Sequence, residues 1–312
     1  MLPEERRERR ARERRRRTRR RRLAALAALG LAAAGLGAFL GLRGGAGRAS
    51  PPGPRTAARA SHALAPPARA RPSRTVLSLP ARLPARTLRV PILMYHRIDL
   101  LKPSLPTITR RLTVAPADFA AQMRWLARSG YHTLTQRQLF EALEHGQRLP
   151  PRPILITFDD GYRDVLGKAA PVLRSLRMHA TAYVITGRIS GPDVSFLTWP
   201  ELHALERSGI EIGSHTVHHL ELTGLSDPQA LQELIRSRAA LERHLGHPVQ
   251  WFAYPAGAFS AHAAELVRQA GYVLAVTTRP GAVQDARAPL ELRRLEILDS
   301  TGVAGLGALL RS

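Results

Sequence analysis

The chain has 312 residues, a formal net charge of +23 and no cysteine, so disulfide frameworks and thiolate chemistry are both excluded. The charge is uneven, because residues 1–22 contain 13 Arg against 4 Glu and residues 43–89 contain 10 Arg and no acid. The remainder is only mildly basic, so the net charge describes the N-terminal part and says little about an active site.

The first two segments predict a membrane anchor. Residues 1–22 form an Arg-rich tail, and residues 23–42 form a stretch of 20 uncharged residues rich in Ala, Gly and Leu. At about 1.5 Å per residue this stretch can span a hydrocarbon core of about 30 Å. The preceding Arg block would stay in the cytoplasm, which places the rest of the chain outside. We expect a single-pass anchor in the cell membrane; the alternative is a cleaved signal and a secreted product.

Residues 43–87 are dominated by Pro, Ala, Gly and Arg without a repeating apolar pattern, which predicts an extended, disordered linker. Because the tail has no aromatic residues between its arginines and adjoins an apolar span, the sequence argues against a nucleic-acid partner. The catalytic domain is expected over residues 88–312, as a monomer.

From Val90 onward, apolar strand patterns alternate with helical patterns. Two Thr residues, Thr135 and Thr198, begin capping boxes. The predicted strands are Val90–Tyr95, Tyr131–Leu134, the run from Ile154, Ala180–Ile185, Glu211–Ser214, Gln250–Tyr254, Tyr272–Thr277 and Leu292–Leu298. The predicted helices are Pro116–Ser129, Thr135 to His145, Val165–Arg177, Trp199–Arg207, Ser226 to Gly246, Ser260–Ala270 and Val303–Leu310. This rhythm predicts parallel βαβ units that close, or nearly close, into a barrel.

The strand from Ile154 ends at two consecutive carboxylates, Asp159 and Asp160. Like charges this close repel each other, and a metal ion or a shared proton would relieve the repulsion. Alone, the pair is better explained by a polar turn in which Asp159 caps a helix. A second cluster downstream favours the metal.

The segment after the predicted strand Glu211–Ser214 carries His215 and His219, four residues apart and within reach of one ion on a helical turn. His218 lies off that shared face and is predicted to be a bystander. Two histidines and one carboxylate form a recognised hydrolytic metal site, with Asp160 as the carboxylate. Asp159 is then available as the base for the water that such an ion activates.

Four segments together resemble the polysaccharide deacetylases of carbohydrate esterase family four. They are P-I-L-M-Y-H-R-I at Pro91–Ile98, I-T-F-D-D-G-Y at Ile156–Tyr162, E-I-G-S-H-T-V-H-H at Glu211–His219 and F-A-Y-P-A-G at Phe252–Gly257. The resemblance covers about residues 88–300. It implies a distorted (β/α)7 barrel and metal-dependent removal of N-acetyl groups from amino-sugar polymers. Zinc is the expected metal, with cobalt or nickel as alternatives.

The resemblance also implies roles for single residues. By position, Asp159 is similar to the catalytic base, and Asp160, His215 and His219 are similar to the metal ligands. Many members supply a general acid from a C-terminal Leu-x-His motif, but the corresponding segment here, Leu295–Asp299, has no histidine. In the branch that resembles poly-N-acetylglucosamine deacetylases, an early M-Y-H histidine takes that place, and His96 fits it. The alternative for His96 is a hydrogen-bonded core histidine.

Besides the missing Leu-x-His histidine, the sequence departs from the family at the segment Arg-x-Pro-aromatic. This segment here reads Ala253-Tyr254-Pro255-Ala256. The Arg that would orient the base is missing, and Arg163 or Arg97 is the expected substitute. A backbone N–H of the Tyr254–Ala256 turn could hold the oxyanion. Tyr162, Trp199 and Tyr254 could stack on sugar rings or could be packing residues.

The sequence therefore predicts a metal-dependent deacetylase that acts outside the cytoplasm on peptidoglycan or an exopolysaccharide containing N-acetylglucosamine. Three alternatives stay open: an O-acetyl esterase on an acetylated glycan, a catalytically impaired glycan-binding protein, and a membrane-tethered basic interaction protein that depends on residues 1–89.

Overall fold

The structure, a computed structural model, describes residues 75–311. The predicted tail, the span 23–42 and the linker up to residue 74 lie outside the described residues. Within residues 75–311 no helix is both long and apolar enough to cross a membrane.

The chain alternates between strands and helices, as the sequence pattern predicts. The strands are β1 Thr87–Arg89, β2 Ile92–Tyr95, β3 Arg97–Ile98, β4 Thr113–Val114, β5 His132–Thr133, β6 Pro153–Phe158, β7 Ala180–Val184, β8 Ile210–Ser214, β9 Trp251–Ala253, β10 Leu274–Pro280, β11 Val283–Asp285 and β12 Leu292–Glu296. The helices are α1 Thr107–Arg111, α2 Pro116–Arg128, α3 Gln136–His145, α4 Ala170–Ser175, α5 Trp199–Arg207, α6 Asp227–Leu245, α7 Ala261–Gln269 and α8 Val303–Arg311.

Seven parallel strands form the barrel, in the order β2, β12, β10, β9, β8, β7, β6, and pairing of β2 with β6 closes it. This is the expected (β/α)7 architecture. The registers align Tyr95 with Phe158 and Val184 with Ser214. Because all seven strands are parallel, the residues that follow them meet at one end of the barrel.

Side-chain alternation along β6 separates the two faces of the barrel wall. Ile154, Ile156 and Phe158 pack in a cluster with the surrounding helices. Leu155 packs in a second cluster with α3 residues such as Leu139. Asp159 lies on the same face as Leu155, because the two are four residues apart on an alternating strand. It is buried at the end of that face. The alternation of side chains along β6 thus places the Asp159 carboxylate among the residues of the barrel interior.

The helix predicted over Val165–Arg177 is interrupted. A π-helical turn occupies Val165–Ala169, and α4 begins only at Ala170. Pro171 lies in the first turn of α4. Because proline has no N–H, it cannot make the α-helical hydrogen bond to the carbonyl four residues earlier. In helix α2 the buried residues are Phe119, Met123, Leu126 and one polar residue, Gln122. Gln122 is satisfied there because it accepts a hydrogen bond from the Tyr95 hydroxyl.

Residues 75–87, assigned to the linker from sequence, contact the barrel. Leu77 and Gln250 exchange two hydrogen bonds of 2.7 Å between main chain and side-chain amide. Leu77 and Leu79 pack against core clusters, and Thr87 begins β1, which pairs with β11. Residues 75–311 contain three hydrophobic core clusters, so this part of the chain carries a core of its own and can fold as a unit.

A partly buried carboxyl on β8 gives a testable pH dependence. Glu211 accepts a hydrogen bond of 2.6 Å from the Gln136 N–H at the start of α3. Burial nevertheless raises the pKa of Glu211 to about 7 from the ordinary 4.5. The folded state therefore binds more protons than the unfolded state between these pH values, and the free energy of unfolding should fall as pH rises from about 4.5 to above 7. The full change is on the order of 3 kcal/mol.

Glu211→Gln should remove this dependence, because an amide oxygen can still accept the Gln136 N–H but carries no charge. Urea unfolding of residues 75–312 across this pH range measures the effect, with the variant more stable above pH 7. Glu296→Gln, at an exposed position on β12, is the matched control and should change little. Equal slopes for wild type and Glu211→Gln would contradict the assignment.

Candidate active site

The loop after β6 turns sharply and sends its two carboxylates in different directions. Asp160 has a φ of 74° and Gly161 a φ of 85°, both in the left-handed region. A Cβ on Gly161 would lie 3.0 Å from a Val184 methyl group on the neighbouring strand. Glycine therefore permits the close approach that brings the Asp160 main chain to β7, where its carbonyl accepts the Ile185 N–H. Asp159 stays with the barrel interior and Asp160 faces the loop after β8.

His215 and His219 both reach Asp160. Nε2 of each histidine lies 3.6 Å from Oδ1 of Asp160. The predicted helical turn is wrong, because residues 215–219 form a bend in which Thr216 and His219 have φ values of 64° and 59°. The Thr216 hydroxyl accepts the His219 N–H at 2.9 Å and holds the bend closed. The two imidazoles converge through this turn and not through helical spacing.

A buried glutamate on α6 supports the same bend. Glu233 accepts the main-chain N–H groups of Val217 and His218 at 3.0 and 2.8 Å. Its other oxygen lies 2.6 Å from Nδ1 of His218. His218 is thus directed at Glu233 and away from Asp160, as expected for a residue outside the metal cluster.

Asp160, His215 and His219 fit a divalent metal ion. Their candidate ligand atoms all lie within 4.8 Å of one another, and no other such group occurs within residues 75–311. Nδ1 of His215 lies 2.7 Å from the Ala253 carbonyl, to which it donates, so Nε2 keeps its lone pair for a metal. Burial lowers the pKa of His215, which favours the neutral form that ligates. Two imidazoles and one carboxylate leave coordination positions open, the arrangement of hydrolytic sites.

Asp159 forms a buried ion pair with Arg294, which lies on β12. The guanidinium donates to both carboxylate oxygens at 2.8 and 2.7 Å. It also donates to the Thr277 carbonyl at 2.8 Å and to the Thr157 hydroxyl at 3.2 Å. Burial alone would raise the pKa of Asp159, but the charge and hydrogen bonds of Arg294 outweigh burial and hold that pKa far below its usual range. The carboxylate is therefore ionised and fixed in orientation.

Arg294, and not Arg163 or Arg97 as expected, takes the place of the missing motif arginine beside Asp159. Arg163 pairs with Glu201 at 3.0 Å, and Arg97 pairs with Asp164 at 3.1 Å, so neither of them orients Asp159. The sequence did contain a signal for Arg294. It follows Arg293 in the apolar strand from Leu292, and two consecutive side chains on a strand face opposite ways. One of the two arginines had to point into the barrel.

His96 follows β2 and Asp159 follows β6, and because these two strands pair, His96 lies beside Asp159. It follows Tyr95, whose carbonyl accepts the Asp159 N–H at 2.9 Å. Within the described residues, Nδ1 of His96 is buried and has no hydrogen-bond partner. A core histidine held by hydrogen bonds would have a partner there. The general-acid role of His96 stays a prediction, and its position beside the base is consistent with that role.

The aromatic residues proposed for sugar stacking are engaged in packing. Tyr254 is fully buried and donates its hydroxyl to the Leu290 carbonyl, so its side chain is not available to a substrate. The ring of Tyr162 stacks on that of Phe196, with 4.8 Å between the ring centres. The Arg97 guanidinium lies 4.9 Å from the centre of the Tyr162 ring. Trp199 stacks on His244 at 3.7 Å. For Tyr254 burial favours the packing alternative, and for Tyr162 and Trp199 stacking on a sugar ring stays a prediction.

The turn Pro255–Gly257 follows β9 at the same end of the barrel. Ala256 has a φ of 53°, in the left-handed region, and Pro255 is buried. The Ala253 carbonyl just before this turn is the acceptor for His215. The turn is thus attached to the metal cluster, and its backbone role toward an oxyanion stays a prediction.

Comparisons with known proteins agree on one family. The family described as polysaccharide deacetylase matches residues 146–275. The Bacillus subtilis protein YxkH, which carries a polysaccharide deacetylase name, is 32% identical over 224 residues, covering 72% of this chain and 77% of that protein. A Staphylococcus aureus poly-beta-1,6-N-acetyl-D-glucosamine N-deacetylase is 23% identical, over 52% of this chain and 60% of its own length.

A solved structure gives the same result. The Streptococcus pyogenes deacetylase PplD, determined in complex with acetate, superposes with a TM-score of 0.67 at 28% identity. The superposition covers 72% of this chain and 99% of the PplD chain.

Proposed function

The chain belongs to the polysaccharide deacetylase family, and on that premise we propose that it removes N-acetyl groups from a polysaccharide containing N-acetylglucosamine. One observation carries this proposal. The ligand atoms of Asp160, His215 and His219 converge within 4.8 Å beside an ionised, oriented Asp159. A metal cluster and a fixed carboxylate can together supply the Lewis acid and the general base for hydrolysis of an unactivated amide.

A divalent ion at this cluster, with zinc preferred over cobalt or nickel, would polarise the amide carbonyl and lower the pKa of a water molecule. Asp159 accepts the proton of the attacking water at a carboxylate oxygen. Because Arg294 holds the pKa of Asp159 low, Asp159 is a weak base, and an ion held by Asp160, His215 and His219 would compensate by lowering the pKa of the water. His96, as the imidazolium, donates a proton to the departing amine nitrogen, and acetate leaves.

We further propose that the enzyme acts outside the cytoplasm. The Arg-rich tail 1–22 before the apolar stretch 23–42 supports this orientation through the preference of positive residues for the cytoplasmic side. The S. aureus relative is named for a poly-N-acetylglucosamine substrate. Peptidoglycan and exopolysaccharide are the extracytoplasmic polymers proposed as substrates.

Acetate release from chito-oligosaccharides by residues 75–312 tests the proposal. Chelation should lower the rate at least about a hundredfold, because the ion supplies several kcal/mol of transition-state stabilisation. Adding back zinc or cobalt should restore the rate, and metal analysis should find one ion per chain.

An acetylated sugar ester serves as the parallel substrate. Faster turnover of the ester with no amide hydrolysis would replace the deacetylase proposal by an O-acetyl esterase. Stoichiometric metal without turnover of either substrate would contradict both and indicate a glycan-binding protein.

A further inference from the structure

The orientation of His96, the predicted general acid, depends on the main chain around it. Within residues 75–311, Nδ1 of the His96 ring is buried and has no hydrogen-bond partner, so no bond at that nitrogen fixes the ring. A proton donor nevertheless has to be held close to the atom that it protonates. The contacts that fix the chain on either side of His96 therefore decide where its imidazole points.

The chain before His96 is fixed by the barrel itself. Tyr95 is aligned with Phe158 across β2 and β6, and its carbonyl accepts the Asp159 N–H at 2.9 Å. Tyr95 is fully buried, and its hydroxyl donates to the side chain of Gln122. On this side, the position of His96 is as well defined as the strand that leads to it.

The chain after His96 is fixed by a buried carboxylate, that of Asp164. Oδ1 of Asp164 accepts the Ile98 N–H at 3.0 Å, and Oδ2 accepts Nε–H of Arg97 at 3.1 Å. The side chain of Asp164 is 6% exposed and that of Arg97 is 13% exposed. Hydrogen bonds between charged groups are stronger than neutral ones. One carboxylate therefore holds both the backbone and a side chain of the two residues that follow His96.

Asp164 joins this segment to the loop of the catalytic base. It lies five residues after Asp159 and directly precedes the π-helical turn Val165–Ala169. The Arg97 guanidinium also lies over the ring of Tyr162, which belongs to the same loop. Pairing of β3 with β4, in contrast, joins the segment to a strand outside that loop. The base and the predicted acid are thus tied to each other through Asp164.

We propose that Asp164 is the positioning residue for the general acid. It holds the segment after His96 against the loop of Asp159 and so places the imidazole where the amine departs. Asp164 acts through His96 and not on the substrate. This inference rests on the proposed deacetylase function, because an amine leaves only when the substrate is an amide.

The leaving group provides a specific test. In amide hydrolysis the C–O bond to water forms, the C–N bond breaks with its electron pair on nitrogen, and that nitrogen takes the proton of His96. An aryl acetate such as 4-nitrophenyl acetate instead releases 4-nitrophenolate, a weak base that departs without a proton. The base Asp159 and the metal cluster serve both substrates. A misplaced general acid should therefore slow amide hydrolysis selectively.

Asp164→Ala in residues 75–312 should lower kcat for acetate release from chito-oligosaccharides at least about tenfold, and should change kcat for 4-nitrophenyl acetate by less than about threefold. Asp164→Asn should lower the amide rate less, because its amide oxygen can still accept the Ile98 N–H while its NH2 group faces the Arg97 donor. Both variants should keep one metal ion per chain. Rates are measured at a temperature where each variant is folded.

A double-mutant cycle with His96→Ala separates positioning from a general structural role. If Asp164 acts through His96, Asp164→Ala should lower the amide rate at least about tenfold in the wild-type background but less than about twofold in the His96→Ala background. Additive losses in the double variant would overturn the proposal.

Glu201 supplies a matched control, because it makes the same two kinds of contact. Its carboxylate accepts the Thr198 N–H at 2.9 Å and Nε–H of Arg163 at 3.0 Å. Glu201→Ala removes both contacts near the same loop but leaves the segment after His96 unchanged. It should therefore lower the amide and ester rates by the same factor. A selective loss of amide hydrolysis in Glu201→Ala, or equal losses on both substrates in Asp164→Ala, would contradict the positioning role.

The same measurements separate this inference from the proposed function. A wild-type protein that hydrolyses the aryl ester and not the amide would overturn the deacetylase proposal and, with it, a role for Asp164 toward a departing amine. A wild-type protein that hydrolyses both substrates, with equal losses in Asp164→Ala, would overturn the positioning role alone.

Discussion

Asp159→Asn is expected to lower kcat for amide hydrolysis by about 10²–10⁴-fold while the protein retains its metal ion. The amide keeps the size of the carboxylate but cannot accept the proton of the attacking water. It also leaves Asp160, His215 and His219 unchanged, and these are the candidate ligands. Single-turnover acetate release and metal analysis on the same sample measure the two effects separately.

His215→Ala supplies the contrast, because it removes a ligand that is buried and fixed by the Ala253 carbonyl. This variant should lose both metal and activity. His218→Ala is the matched control in the same bend, since its ring is directed at Glu233, and it should keep both. Asp159→Asn with wild-type kcat, or His215→Ala with stoichiometric metal, would each remove the corresponding residue from its role.

The barrel was predictable from sequence because strand and helix signals are local. The capping boxes at Thr135 and Thr198 begin α3 and α5 at the predicted residues. Gly246 ends α6 in the left-handed conformation, as its position after an apolar periodic segment suggests. The short strands β1 and β11 were not predicted, because three-residue strands carry too little pattern to distinguish them from loops.

The metal cluster was predictable in composition but not in geometry. The sequence identifies Asp160, His215 and His219 as residues able to ligate a metal, yet their convergence depends on positive φ angles at Thr216 and His219. Such angles are sparsely populated by residues other than glycine and depend on tertiary support, here from Glu233 on a distant helix. Local spacing suggested a helical turn, and tertiary contacts impose the bend.

Arg294 was missed for a related reason. Asp159 and Arg294 are 135 residues apart in sequence and become neighbours only when the barrel closes. The arginines that lie near the Asp159-Asp160 motif in sequence, Arg163 and Arg97, have partners of their own. The orienting arginine is supplied instead by β12, from inside the barrel.

Arg294→Met should therefore be among the most damaging substitutions in this chain. It leaves the Asp159 carboxylate buried without its counter-charge and without two hydrogen bonds. Removing one partner of a buried ion pair costs about 3–5 kcal/mol of the free energy of unfolding. The base also loses its fixed orientation, so kcat should fall by about a hundredfold or more with KM little changed. Urea unfolding and steady-state acetate release, at a temperature where the variant is folded, measure the two losses.

Arg293→Met is the matched control, because Arg293 is the neighbouring residue on β12 and is exposed. It should change stability and kcat little. Arg294→Lys keeps the charge but cannot donate to both oxygens in parallel, so it should recover part of the stability and less of kcat. A positioning role predicts that kcat follows the bidentate geometry while metal content stays at one ion per chain. If kcat in the two Arg294 variants fell only in proportion to the unfolded fraction, Arg294 would be a structural residue and Asp159 would need another group to orient it.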